Sequence, residues 1–374
     1  TAVWMLVILP FFAWQTVVVG VAIDDYDLAV VAPVPFAAAD DAAVDAALTG
    51  MLSPAVKRRP LRLAEVTTAA GLDSELEPLI AGLPLRPASP LAAGDVLIAT
   101  IRGQTLIGPR DQTAAPTADP VAGKACLAAS DLRLDGVKPR GLVPISRLVK
   151  ACTASSATTT LIACDFGNLR WAPRLGVAGG FVPTSLDREL AAEAARLPPG
   201  RRCWLLGSHA EGQVSGVDLS SGRSFFSRSL ELGLSGGADE APSGDGDGVV
   251  ELAELFDFVR RWTAEWSRLK TGGSLIQVPV LWEVGVGRRE AADVPRDVPL
   301  LRLTVGGGRP RRDPADSEAE GADAESEPDK ASGDTPAGTP AVRPPTEQMA
   351  GQHEAAAGND KPGDATEAPP DGSD

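Results

Sequence analysis

Four short, mostly apolar runs, three of them rich in β-branched residues, set the terms on which this chain can fold. They cover residues 15–23, 95–101, 158–164 and 203–208. Each stops abruptly at polar or glycine residues: Asp24-Asp25-Tyr26-Asp27, Arg102-Gly103, Asp165-Phe166-Gly167 and His209-Ala210-Glu211-Gly212. A continuous apolar run of this length, without polar alternation, suits a strand buried on both faces. Between the runs lie segments of helical character at 37–52, 72–83 (interrupted by Pro78), 145–154 after Pro144, 186–197, 224–234 and 250–269. The last carries Leu252, Leu255, Phe258, Val259 and Trp262 on one face. A short strand is expected at 61–66, a hairpin at 105–108 and 124–129, and a loop at 166–180. An edge strand is expected at 277–282, because Pro279 cannot donate within a ladder. Strands alternating with helices predict an α/β fold with a doubly wound, mostly parallel sheet and helices on both faces. The loops that bear function in such a sheet follow its carboxyl ends, here Ile23, Ile101, Cys164 and Ser208.

Charge separates the folded part from a tail. The 374 residues carry a net charge of −15, but residues 306–374 hold sixteen acidic and six basic residues, about two-thirds of that excess. The same stretch has ten prolines and no Leu, Ile, Phe, Trp, Tyr or Cys, so it lacks the apolar surface that offsets ordering entropy and is expected to be disordered. The folded domain is therefore expected over 14–305. Basic residues gather only in short runs, Lys57-Arg58-Arg59 and Arg309, Arg311 and Arg312, which argues against nucleic acid as a partner. Cys126, Cys152, Cys164 and Cys203 show neither a disulfide framework nor CxxC zinc spacing, which fits reduced thiols in a cytoplasmic setting. Residues 1–13 are apolar, and with 14–23 the run is long enough to span a bilayer. Pro10, the lack of flanking Lys or Arg, and a Val-rich second half suited to a buried strand make membrane contact through residues 1–23 the lesser expectation. A signal or anchor remnant at 1–13 stays open.

No GxGxxG follows the first strand and no GxxxxGK[ST] occurs, so nothing supports a phosphate cradle. Asp165-Phe166-Gly167 spells a kinase triplet without the catalytic-loop signature that would give it meaning. Cys164 has two readings. At a strand's carboxyl end it suits a nucleophile with a neighbouring base, and it equally suits a small buried apolar residue.

The order of several segments resembles the caspase and metacaspase superfamily of peptidases, bacterial-type members included. The segments are Trp14-Gln-Thr-Val-Val-Val-Gly-Val21 with Asp25-Tyr26, Gly94-Asp-Val-Leu-Ile-Ala-Thr-Ile-Arg-Gly-Gln104, and Thr160-Leu-Ile-Ala-Cys-Asp-Phe-Gly167. Later pieces are Gly212-Gln-Val-Ser215, Gly222-Arg-Ser-Phe-Phe226 and Gly246-Asp-Gly-Val-Val-Glu-Leu-Ala-Glu-Leu-Phe256. The resemblance implies a caspase-like fold and cysteine-type endopeptidase chemistry. The family's third strand typically ends in Ser-Gly-His-Gly and its fourth in Leu-Asp-x-Cys-His-Ser-Gly. Here Gln104 stands where the resemblance implies the catalytic histidine, Cys164 keeps the nucleophile position, Ile162 replaces the usual Asp and Asp165 the usual His. An amide cannot accept the thiol proton near neutral pH, and a carboxylate beside the thiol raises its pKa. The resemblance thus implies a degenerate dyad, and the leading expectation is a non-catalytic binding or regulatory module whose partner is a protein or peptide. The alternative is a cysteine endopeptidase using Cys164 with a relocated base. Only two histidines exist, His209 and His353. His209 follows the strand expected beside that of Cys164, on a loop expected to be exposed, whereas His353 falls in the tail.

One further pattern has metal-ligand spacing. In residues 243–254, Ser243, Asp245 and Asp247 take EF-hand positions 1, 3 and 5, Gly248 position 6, Val249 the backbone-oxygen position 7 and Glu254 position 12. Serine at position 1 removes a charge that a hard cation requires. The competing reading to weak Ca²⁺ binding is a tight Asp/Gly turn before a helix. Trp262 and Trp266, four residues apart, read as helix packing.

Overall fold

The computed structural model describes residues 14–303, apart from 28–33, 35, 52–67, 84, 88–93, 109–120, 136–137, 168–170, 173–176, 179–181 and 193–196. The apolar segment 1–13, the strand expected at 61–66 and the tail 306–374 lie outside the described residues. Among the described residues no helix is long and apolar enough to cross a membrane.

The chain enters through β1 (Thr16–Ala22) and runs into the Ala-rich α1 (Ala37–Met51), then α2 (Ala69–Ser74) and α3 (Leu76–Ala81). After β2 (Val96–Arg102) comes an antiparallel excursion of β3 (Thr105–Ile107), β4 (Ala125–Asp135) and β5 (Lys138–Pro144). Pro144 caps α4 (Ile145–Thr153), which leads to β6 (Thr159–Asp165). Two residue pairs, β7 (Trp171–Ala172) and β8 (Val177–Ala178), interrupt the expected loop before α5 (Val182–Ala192) and β9 (Arg202–Gly207). The hairpin β10 (Val217–Asp218) and β11 (Arg223–Ser224) then leads into α6 (Phe225–Leu232), a π-turn at Gly233–Gly237, β12 (Val249–Glu251) and α7 (Leu252–Lys270). Last come β13 (Val280–Glu283), β14 (Gly287–Arg289) and β15 (Pro299–Arg302).

The main sheet has the order β1-β2-β6-β9-β13-β14. Its first four strands are parallel and share one register, in which Val21, Ile101, Cys164 and Gly207 stand side by side near the carboxyl ends. β13 and β14 join antiparallel. The predicted α/β class with a mostly parallel sheet is therefore what the strand pairings show. The run at 277–282 differs from expectation: only 280–283 is strand, it is paired on both sides, and β14 is the edge. Pro279 precedes the ladder, so its missing N–H removes no bond.

Strand pleat sorts alternate residues onto two cores. Val17, Val19, Leu97, Ala99, Ile162, Cys164, Cys203 and Leu205 face one side, covered by α2, α3, α4 and α5. Val18, Val96, Ile98, Leu161, Ala163, Trp204 and Leu206 face the other, covered by α1, α6 and α7. Two-sided burial is why these strands read as unbroken apolar runs. α7 begins two residues later than the sequence pattern suggests because Val249–Glu251 pair with β15; a capping box between Glu251 and Glu254 then starts the helix. α5 begins earlier than expected, at Val182, whose side chain is buried.

A single carboxylate ties the amino ends of the strands together. Asp95, fully buried, accepts from the backbone N–H of Gln15 (3.0 Å) and of Arg86 (2.7 Å) and from the Arg86 guanidinium, while its own carbonyl accepts from Thr158 N–H (3.0 Å) ahead of β6. Asp95→Ala should cost about 2–4 kcal/mol in chemical denaturation, because it strands buried donors, and Asp95→Asn should recover part of that loss.

Candidate functional site

At the carboxyl ends of β2, β6 and β9 the pleat divides neighbouring residues between the two faces, and this decides what each can do. Ile101, Cys164 and Gly207 belong to the α4/α5 side. Arg102 and Asp165, which pair in register, and Ser208 follow them onto the α1/α6 side.

On the first side, Cys164 is 0% exposed and packed in the apolar core. Burial pushes its thiol pKa well above the usual range, and the negative charge of Asp165 pushes it further. Phe166, also buried, donates its N–H to Ser208 Oγ (3.0 Å) and sets its ring edge-on to His209 at 5.4 Å and tilted to Trp282 at 6.3 Å. Gly207 is obligatory beneath them, since a Cβ there would lie 2.4 Å from the Phe166 ring and 2.7 Å from that of Trp282. This aromatic group fills the space at the strand ends.

His209 corrects an expectation. It is not on an exposed loop but 2% exposed, held on Phe166, with Nδ1 donating to the Ala210 carbonyl (2.9 Å). Burial lowers its pKa, opposed by that hydrogen bond and by Asp165, so the neutral ring is favoured. Gln104 is also fully buried. Its N–H donates to the Tyr26 hydroxyl (2.6 Å), its carbonyl accepts from Ala128 N–H (2.8 Å), and its Oε1 lies where a Cβ on Gly167 would come within 2.5 Å. Gly167, at φ +72°, is what admits that close approach.

On the second side the strand ends carry a polar cluster that reading the sequence missed. Asp165 Oδ1 accepts from the Ser215 hydroxyl and from Gly167 N–H (3.3 Å); Oδ2 accepts from the hydroxyls of Ser224 (2.6 Å) and Ser227 (3.5 Å). Ser208 Oγ lies 2.6 Å from Ser215 Oγ. Arg102 donates through Nε to Ser227 (3.1 Å) and through Nη1 to Thr100 (3.1 Å) and to Asp41 of α1, while its Nη2 is buried without a hydrogen bond among the described residues. The available signal was a pair of opposite charges closing adjacent apolar strands.

The acidic loop is arranged differently from its EF-hand spacing. Ser243 Oγ accepts from Arg261, and Glu254 accepts from the N–H groups of Asp245 (3.1 Å) and Glu251 (3.0 Å). Asp239, outside the predicted set, joins Asp245 and Asp247 instead, with carboxylate oxygens all within 4.8 Å of one another. Asp245 and Asp247 each accept an N–H two residues on, from Asp247 (3.1 Å) and Val249 (2.7 Å), as tight turns do. Asp239 accepts from Gly248 N–H.

No protein-family model and no curated protein matches the chain. Among solved structures it is similar to caspase-1 from Spodoptera frugiperda, at 13% identity, covering 73% of this chain and 88% of that one, with a TM-score of 0.39. It is also similar to a protein from Geobacter sulfurreducens, at 11% identity, covering 78% and 100%, with a TM-score of 0.41. The α/β architecture stands on the strand pairings themselves.

Burial and mutual repulsion raise the pKa of Asp239, and burial raises those of Glu251 and Glu254, which also face neighbouring carboxylates. The native state therefore holds these protons more tightly than the unfolded chain. The resulting stabilisation is complete below about pH 4 and is lost as pH rises through the elevated native values. Asp245→Asn keeps the turn acceptor and removes one repelling charge. Without divalent cations it should raise stability at pH 7 by roughly a few tenths of a kcal/mol, a gain that vanishes near pH 4. The variant also separates the two readings of the loop: under the cation reading millimolar Ca²⁺ raises the melting temperature of the parent alone, and under the turn reading it moves neither.

Proposed function

We propose that residues 14–305 form a caspase-like domain that has lost cysteine-peptidase catalysis and acts as a protein- or peptide-binding regulatory module. The observation that carries this reading is the burial of Cys164: a nucleophile must meet its substrate, and this sulfur lies inside the sheet's core, on the side closed by Phe166, His209 and Trp282. Two further features support it. The thiol's raised pKa suppresses the thiolate that attack requires. Gln104, at the position of the family's histidine, offers an amide that cannot take up a proton.

A cysteine endopeptidase using His209 is the competing reading. Cys164 lies one residue before the end of β6, and His209 two residues beyond the end of the adjacent β9. Catalysis by the pair would nevertheless require the aromatic cluster to open, since His209 commits Nδ1 to Ala210 and its ring to Phe166.

All four cysteines are buried. An aromatic disulfide reagent at pH 7.5 should therefore titrate no thiol rapidly in the native protein and four after denaturation. Fast, selective labelling of Cys164 would overturn the non-catalytic reading. So would a peptidase activity abolished by both Cys164→Ala and His209→Ala.

A further inference from the structure

The β10–β11 hairpin, the first turn of α6 and the C-terminal end of α7 enclose a cavity of about 270 Å³. Its polar lining includes Asp218, Ser221, Arg223, Arg228 and Lys270, and Phe225 and Trp266 supply an apolar wall. None of these residues belongs to the core that holds Cys164. Three cations converge here in a chain of net charge −15.

The cations differ in how far their neighbours use them. Arg223 donates through Nε to Asp40 and through Nη2 to Glu231 (2.8 Å), which fixes its plane and offsets its charge. Lys270 Nζ, half-exposed, stands 3.4 Å from the Asp218 carboxylate and 3.4 Å from Ser220 Oγ, so it is only loosely held. Asp218 is turned toward its own hairpin, where Oδ1 accepts from the Ser220 N–H (3.0 Å) and hydroxyl (2.6 Å). Arg228 has no carboxylate partner among the described residues. Its guanidinium lies over the Trp266 ring, 5.4 Å from the centroid, which orients the fork and leaves its N–H edge unused.

Charge and donor geometry decide the class of ligand. With Arg223 offset from outside the lining and Lys270 shared with Asp218, the Arg228 charge is left uncompensated, and an anion is the ligand that gains there. A carboxylate offers two oxygens in one plane. A phosphate monoester offers three terminal oxygens that diverge, which matches donors arriving from three elements: Arg228 of α6, Lys270 of α7 and the hairpin's Ser221, whose hydroxyl reaches only the Asp218 carbonyl at 3.4 Å. The volume falls just below the ~300–1,000 Å³ typical of small-molecule sites, so the organic part is small, and Phe225 and Trp266 favour one that is flat and apolar.

We propose that this cavity binds a small phosphate monoester, its phosphate held by Arg228, Lys270 and the Ser221 hydroxyl and its organic group resting against Phe225 and Trp266. The inference concerns a different surface from Cys164 and stands whatever that thiol does.

The test is isothermal titration calorimetry of the full chain with phenyl phosphate as the probe, at pH 7.5 and constant ionic strength, with benzoate and phenol as controls. The second ionisation of a phosphate monoester, near about pH 6, is then essentially complete. The expected result is saturable binding of phenyl phosphate, competed by inorganic phosphate, with benzoate about tenfold weaker or more and phenol not binding. Arg228→Ala should weaken phenyl phosphate about tenfold or more at unchanged melting temperature, and Arg228→Lys, which keeps the charge and loses the fork, should fall between it and the parent. Lys270→Ala should weaken binding about threefold or more, and it carries the test together with Arg228→Lys if Arg228→Ala fails to fold. No saturable binding at millimolar phenyl phosphate, benzoate bound as tightly as phenyl phosphate, or binding indifferent to the substitutions at both Arg228 and Lys270 overturns the proposal.

Discussion

Asp165 closes β6 with a carboxylate that folding has removed from water, and much of the second half of the chain is arranged to satisfy it. A buried carboxylate is tolerated only when hydrogen bonds replace its hydration. Here the donors come from separate segments: Gly167 in the loop after β6, Ser215 in the loop after β9, Ser224 at the end of β11 and Ser227 in α6. Ser224 also accepts the Ser227 N–H as the N-cap of α6, so one hydroxyl both starts the helix and docks it on the sheet. Arg102, in register with Asp165, extends the cluster through Asp41 to α1.

The opposite side of the same strand ends obeys a different constraint. Phe166 follows Asp165 directly, and its ring enters the apolar core that holds Cys164. It meets His209 from the end of β9 and Trp282 from β13, over a glycine that leaves no room for any side chain. A polar seal on one side and an aromatic one on the other leave the thiol enclosed. Among the described residues, the carboxyl ends of β6 and β9, where clefts ordinarily form in such a sheet, are given over to packing.

Much of the architecture was legible because two-sided burial imposes a local pattern. The runs at 95–101, 158–164 and 203–208 and the helix after Pro144 needed no knowledge of their partners. Illegible features depended on residues far away in the chain. The β12 strand exists because β15 pairs with it, so 249–251 read as the start of a helix. His209, in a segment of His, Ala, Glu and Gly, looked solvent-facing, and its burial comes from Phe166, 43 positions earlier. Ser243 filled a motif position by spacing, whereas its hydroxyl is taken by Arg261 of α7 and Asp239 joins the acidic cluster.

The amino-acid sequence by itself determined that this chain builds a mostly parallel α/β sheet, and that a cysteine and a carboxylate stand next to each other at the end of one of its central strands. Strand periodicity and side-chain chemistry are local properties, so both conclusions follow from residue order. Only the tertiary structure decided that Cys164 and Asp165 part to opposite sides, that aromatic rings close over the thiol's side, and that Arg228 gathers with Trp266 and Lys270 around one cavity. Burial, pKa and charge balance depend on distances between residues far apart in the chain, and those distances come into being only when the sheet is assembled.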